Sequence, residues 1–144
     1  MKLSWTPSTL FQQGPHIGIL ISATKFELKE GRAVGLEFQE LSVRALIDTG
    51  ASVTVVNPEV AATCKLRYTG KARIVTVGGE PGEYREHAAA ISFPGTTLPS
   101  FDAIRVVACP IIRQPYFSCL IGRDILQKWL LTYDGRRGHV EIQG

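Results

Sequence analysis

The sequence predicts a single, mostly-β domain with two short helices, one of them near the C-terminus, and three observations predict it. Apolar residues recur at strand spacing in one short stretch after another. Helix signals appear at only two places. Glycine and proline, 14 and 8 of the 144 residues, punctuate the chain at short intervals. At 15.8 kDa and 44% hydrophobic residues, the chain is the size of one domain with enough interior for a real core.

The elements follow in order. Residues 1–15 read as a loosely ordered N-terminal arm of a single domain spanning 1–144. After the Gly14-Pro15 breaker, "HIGILIS" (His16 to Ser22) is a β-rich run. Gly35 to Phe38 and Leu41 to Arg44 both alternate around the polar pair Gln39-Glu40, which predicts a hairpin. "VTVV" (Val53 to Val56) is another strand. Asn57-Pro58-Glu59 then opens a short helix to about Lys65, with an N-cap residue, a first-turn proline and an acid favourable to the dipole. Three strands follow: "ARIVTV" from Ala72, "YREHAAAISF" from Tyr84 and "FDAIRVVAC" from Phe101. Gly78 to Glu83 form a glycine-rich hairpin tip between the first two. In "RDILQKWLL" the residues Ile125, Leu126, Trp129 and Leu130 share a helical face, and two short strands flank the Asp134-Gly135 turn.

Composition narrows the function. A net charge of +3, with the basic residues scattered, lacks the concentrated stripe of a nucleic-acid binder, so no nucleic-acid partner is expected. No apolar run approaches the roughly 18 residues of a membrane span, and "MKLSWTPSTLFQQ" has no signal-peptide core. Neither membrane nor secretion is indicated, and a cytoplasmic setting is expected. Cys64, Cys109 and Cys119 are irregularly spaced, like buried thiols of a reducing compartment. His16, His87 and His139 lack metal-ligand spacing, and "GGEPGE" lacks the Lys and helix of a phosphate loop. No metal and no organic cofactor is expected.

One stretch carries chemistry. In "ALIDTGASVTVVNP" the carboxylate of Asp48 stands between two apolar runs, where an unpaired charge is costly. Asp48-Thr49-Gly50 reads as a turn whose backbone N–H groups can hold that carboxylate. On the tripeptide alone, an ordinary Asp-Gly turn with a satisfied Asp remains open. Some seventy residues later, "CLIGRDILQKWLL" is an apolar strand, then Gly122, then a helix.

Together "ALIDTGAS" and "LIGRDIL" resemble the retroviral-type, or retropepsin-like, aspartic proteases over roughly His16 to Ile142. The likeness leans toward the cellular and bacterial single-domain members. It implies a closed all-β barrel, one lobe per subunit, with a short helix before the C-terminal strand. It also implies Asp48 as the catalytic carboxylate. Thr49 would brace two active-site loops across a symmetry axis, Gly50 would admit a substrate carbonyl, and Ala51 and Ser52 would meet the peptide. Leu46, Val55, Leu120 and Ile121 would form subsite walls and the core beneath them, and Gly78 and Gly79 would cap the peptide as a flap. Gly122, Arg123 and Asp124 would open the supporting helix, with Arg123 tying it to nearby loops. Many viral members carry an acid where this chain has Ser52, which leaves the partner of Arg123 open.

Aspartic proteolysis needs two carboxylates sharing a proton around one water. The chain has four Asp residues, and only Asp48 is followed by Thr-Gly or Ser-Gly. The resemblance therefore implies a homodimeric endopeptidase acting on an extended peptide or protein, with the second Asp48 supplied by another copy. "GHVEI" (Gly138 to Ile142) is the expected interface strand. The alternatives are a catalytically weak peptide-binding or dimerisation module on the same fold, and a protease that processes only its own precursor.

Overall fold

A computed structural model describes residues 2–6, 10–75, 81–111 and 117–144. The main sheet contains β2 (His16–Ser22), β3 (Leu41–Ile47), β4 (Val55–Val56), β5 (Arg67–Ile74), β6 (Gly82–Ser92), β7 (Phe101–Ala108) and β8 (Cys119–Ile121). Its order is β2-β3-β8-β4-β7-β6-β5, and a further pairing of β2 with β6 through Leu20↔Ser92, Ile21↔Ile91 and Ser22↔Ala90 brings the sheet round on itself. Six strands thus close into a ring, and β5 hangs from β6 as the outer arm of a hairpin. Alternate side chains from the strands fill the interior: Ile19, Ile21, Ala45, Ala89, Val106, Cys119 and Ile121 are fully buried.

A smaller sheet closes one end, in the order β1 (Lys2–Trp5), β10 (His139–Gln143), β9 (Leu130–Asp134), all antiparallel. Val140 and Ile142 of β10 are buried, and Leu3, Trp5 and Leu131 pack on the core beside them. The expected loose arm is therefore in part an ordered strand. Its Ser4 hydroxyl bonds His139 Nε2 at 2.7 Å, and the indole N–H of Trp5 donates to the His16 carbonyl at 3.1 Å.

The helices depart most from expectation. No strand forms at 35–38. Instead α2 (Lys25–Ala33) precedes β3, after the single-turn α1 (Leu10–Gln13). Thr24 caps α2: its hydroxyl oxygen accepts the Glu27 N–H at 3.2 Å and donates to the Glu27 carboxylate at 2.8 Å. Gly35, at φ +77°, ends it, and the Leu36 N–H returns to the Gly31 carbonyl at 2.8 Å. The alternation at Gly35 to Phe38 belongs to this helix exit rather than to a strand. α3 (Pro58–Thr63) forms where the proline predicts, but the Asn57 side chain accepts the Ile111 N–H at 2.8 Å rather than capping the helix. α4 (Arg123–Leu126) is one turn long. Trp129 leaves it to pack edge-on against Phe93, and Leu130 begins β9, 61% exposed. Among the described residues, no helix is long and apolar enough to cross a membrane.

Candidate active site

The strand order places β8 between β3 and β4, so the chain from β3 to β4 must pass over the end of β8. Asp48 sits in that crossing. Leu46↔Leu120 and Ile47↔Ile121 pair in parallel, and the Asp48 N–H donates to the Ile121 carbonyl at 2.9 Å, which continues the ladder up to the carboxylate itself. The Gly50 N–H donates to Asp48 Oδ1 at 2.9 Å, and the Ala51 N–H donates to the Asp48 carbonyl at 3.2 Å. The carboxylate is held by its own turn, half-buried, while Thr49, Gly50 and Ser52 are exposed around it.

The β8–α4 segment clamps the loop from below. Gly122 lies so close under the crossing chain that a Cβ there would stand 2.5 Å from the Val53 carbonyl carbon and oxygen. Only glycine fits there, for reasons of approach rather than of φ. The Arg123 N–H donates to the Ala51 carbonyl at 2.8 Å, and its guanidinium donates to the Thr49 carbonyl at 2.8 Å. Arg123 thus takes a backbone oxygen as partner, where an acid at position 52 would have offered a carboxylate. Asp124 completes the clamp: Oδ2 accepts the Thr54 N–H at 3.0 Å, and Oδ1 accepts the Thr54 hydroxyl at 2.8 Å and the Ile125 N–H at 2.9 Å. The Thr54 oxygen in turn accepts the Gly122 N–H at 3.2 Å.

The sequence alone does not single out Thr54, yet it is fully buried and joins the loop to the helix. The available signal was the one that marked Asp48: a polar residue inside an apolar run needs a partner.

The apolar residues around the site divide into two groups. Ile121 is wholly buried in the main core, so it supports the loop and cannot wall a pocket. Val55 is nearly buried in a second cluster with Val107 and Cys109. Val53, Ala72, Ile74, Tyr84 and the half-buried Leu120 pack against it. Leu46, half-buried beside Leu120, is also met by Gly14. Gly78 and Gly79 lie outside the described residues, and β5 and β6 pair as far as Ile74↔Gly82. The three cysteines are free and buried, and burial raises each thiol pKa; the nearby Asp124 carboxylate raises that of Cys119 further.

A closed β barrel whose Asp-Thr-Gly turn crosses a Gly-Arg-Asp strand-to-helix corner defines an aspartic-protease-type lobe. A family profile described as gag-polyprotein putative aspartyl protease matches residues 34–128, more than half of the chain. The chain belongs to that family. It is 28% identical, over 76% of its length, to the DNA damage-inducible protein 1 of Chaetomium globosum, and spans about a quarter (24%) of that relative. In three dimensions it is similar to a retropepsin-like aspartic protease from Rickettsia conorii, with a TM-score of 0.56 and 15% identity over 99% of this chain and 89% of the other. It is also similar to the EIAV protease complexed with the inhibitor HBY-793, with a TM-score of 0.54 and 22% identity over 85% and 92%. At these identities the structural likeness establishes the retropepsin-like fold.

Proposed function

We propose that the protein is an aspartic endopeptidase that acts as a homodimer, its active site completed by the Asp48 of a second copy. The observation that carries the reading is the Asp48 turn. Its carboxylate is fixed by the Gly50 N–H at 2.9 Å on a loop clamped by Arg123, beside exposed Thr49 and Gly50. The chain has no second Asp-Thr-Gly or Asp-Ser-Gly to face it. The clamp would keep the carboxylate from relaxing away when a second one is brought near.

Two such carboxylates close together hold one proton between them and titrate as a pair. The ionised one takes a proton from the shared water as that water attacks the scissile carbonyl carbon. The protonated one gives its proton to the carbonyl oxygen, forming a gem-diol. Collapse of the gem-diol then breaks the C–N bond as the nitrogen is protonated. The peptide would lie extended between the two Asp48 loops, its side chains against Leu46 and Leu120, with Ala51 and Ser52 alongside its backbone and Gly78 and Gly79 above. The chemistry requires no metal or organic cofactor. Buried free thiols fit a cytoplasmic setting.

The test is digestion of a diverse peptide library between about pH 4 and 7 by the wild type beside Asp48→Asn. The expected result is cleavage by the wild type, blocked by a statine-type mimic of the gem-diol, and a loss of about four orders of magnitude or more in the variant. Cleavage that survives Asp48→Asn removes the mechanism. No cleavage by a dimeric wild type favours a peptide-binding module.

A further inference from the structure

Arg44 shares a sheet face with Leu46 and has no part in the Asp48 loop. In β3 the side chains of Ala45 and Ile47 are buried in the barrel, so Arg44 and Leu46 lie together on the opposite face. Toward β2, Arg44 pairs with Gly18 and Leu46 with His16. Toward β8, Leu46 pairs with Leu120, and the Ser118 N–H donates to the Arg44 carbonyl at 3.1 Å. The face that carries Leu46 and Leu120 therefore runs on to a guanidinium. Arg44 is exposed, and its Cζ stands 5.9 Å from the centre of the Phe117 ring. The same buried ring meets the imidazole of His16 at 5.6 Å, and Nδ1 of that imidazole lies 3.0 Å from the Gly14 carbonyl. An aromatic face steadies a guanidinium and leaves its N–H groups free to donate. Gly18, opposite Arg44, is exposed, and a Cβ there would meet nothing within 4 Å, so the floor beside the guanidinium is bare backbone. Among the described residues the ion pairs are Arg67–Glu27, Arg105–Glu86 and Arg137–Asp134, and none of them takes up Arg44.

Resting on the reading of the protein as a homodimeric endopeptidase, we propose that Arg44 sets substrate specificity. It pairs with an Asp or Glu side chain of the bound peptide, two residues away from the apolar side chain that lies on Leu46. Alternate side chains on one face of a strand stand about 7 Å apart, which is the offset from Leu46 to Arg44 and also that between alternate residues of an extended peptide. The guanidinium offers paired N–H donors that match the two oxygens of a carboxylate, and an amide in the same place forms weaker, uncharged bonds. Its contact with Phe117 holds it before the peptide arrives, so less side-chain freedom is lost on binding. A lysine of the peptide would meet a like charge there. Each subunit of a symmetric dimer carries one Arg44, so the preferred substrate is an extended peptide with an acidic residue on each side of the scissile bond.

The test uses peptides in which Glu, Gln or Lys is moved through each position in turn, with the wild type, Arg44→Gln and Arg44→Glu. The quantity read is the ratio of kcat/KM between peptides that differ only at that position, which a general loss of activity or stability does not move. The wild type should favour Glu over Gln on the order of fivefold at low salt, and less at about 0.5 M salt. Arg44→Gln should bring that ratio close to one, and Arg44→Glu should favour the Lys peptide. Binding of the same peptides to Asp48→Asn, with and without Arg44→Gln, repeats the comparison by fluorescence anisotropy without turnover. A Glu preference that survives Arg44→Gln, or equal treatment of Glu and Gln by a wild type that cleaves both, overturns the role of Arg44 and leaves the protease reading standing. A wild type that cleaves nothing but binds the Glu peptides more tightly through Arg44 overturns the protease reading and keeps the acidic-peptide site. Neither cleavage nor a preference in binding overturns both.

Discussion

At the scale of single residues, the candidate site depends on a small polar network in an apolar setting. Asp48 is satisfied by its own turn, but the turn stays where it is because Thr54, Gly122, Arg123 and Asp124 fix the chain on either side. Thr54→Val keeps the volume and removes the hydroxyl, so Asp124 loses one donor and the Gly122 N–H loses its acceptor inside the protein. The expected cost is about 1–3 kcal/mol in denaturant unfolding, and the proposed peptidase activity should fall as well because the loop loses one of its ties to α4. Gly122→Ala acts through sterics alone. A methyl 2.5 Å from the Val53 carbonyl must push the crossing chain upward, which should destabilise by about 1–3 kcal/mol and displace Asp48. If Gly122→Ala unfolds at the wild-type denaturant midpoint, the loop is looser than these contacts require. Asp48 and Gly122 stand out in the sequence because each interrupts an apolar run, although an ordinary Asp-Gly turn would also account for Asp48. Thr54 breaks the same pattern, but a Thr inside "VTVV" also suits a strand and does not stand out.

At the scale of elements, the strands with long apolar or alternating runs appear where periodicity puts them: β2, β6, β7 and the β9–β10 hairpin. What the pattern hid was α2. Its residues "KFELKEGRA" have few apolar positions, and only Leu28 and Gly31 are buried, so no helical stripe stands out. The readable signal was at its start, where Thr24 and Glu27 stand three apart as a capping box. Thr24→Ala should therefore cost about 1 kcal/mol, a large effect for a surface-helix position, measurable as a lower denaturant midpoint. No change would mean that packing of Leu28 alone holds α2. The C-terminal segment erred the other way. Apolar spacing predicts a short helix whose face runs through Leu130, but Trp129 is drawn onto Phe93 and Phe101, and β9 takes the remainder. Which strand ends up as an edge depends on sheet order, and one chain's periodicity carries no information about that.

At the scale of the whole molecule, the buried thiols make stability depend on pH on the alkaline side. Cys119 is fully enclosed between β3 and β4, and burial, with the Asp124 charge nearby, raises its thiol pKa; Cys64 and Cys109 are raised chiefly by burial. Below about pH 8 a thiol is protonated in both folded and unfolded chains, so these groups then have no effect on the balance. Above the unfolded thiol pKa, near 8.5, the unfolded chain releases protons that the folded chain keeps. The stability contributed by the raised pKa values is therefore intact below that pH and is lost as pH rises toward the folded values. For Cys119 the loss should approach about 1.4 kcal/mol per pH unit at the alkaline end. The measurement is the urea midpoint from about pH 8 to 10.5 for wild type and Cys119→Ala. The variant starts lower, because it leaves a cavity, but its stability should fall less steeply with pH. Titrations common to both proteins cancel in the comparison, so the difference between the two slopes isolates the thiol. Parallel slopes would mean that Cys119 ionises in the fold as easily as outside it, and that the barrel under the Asp48 loop admits water.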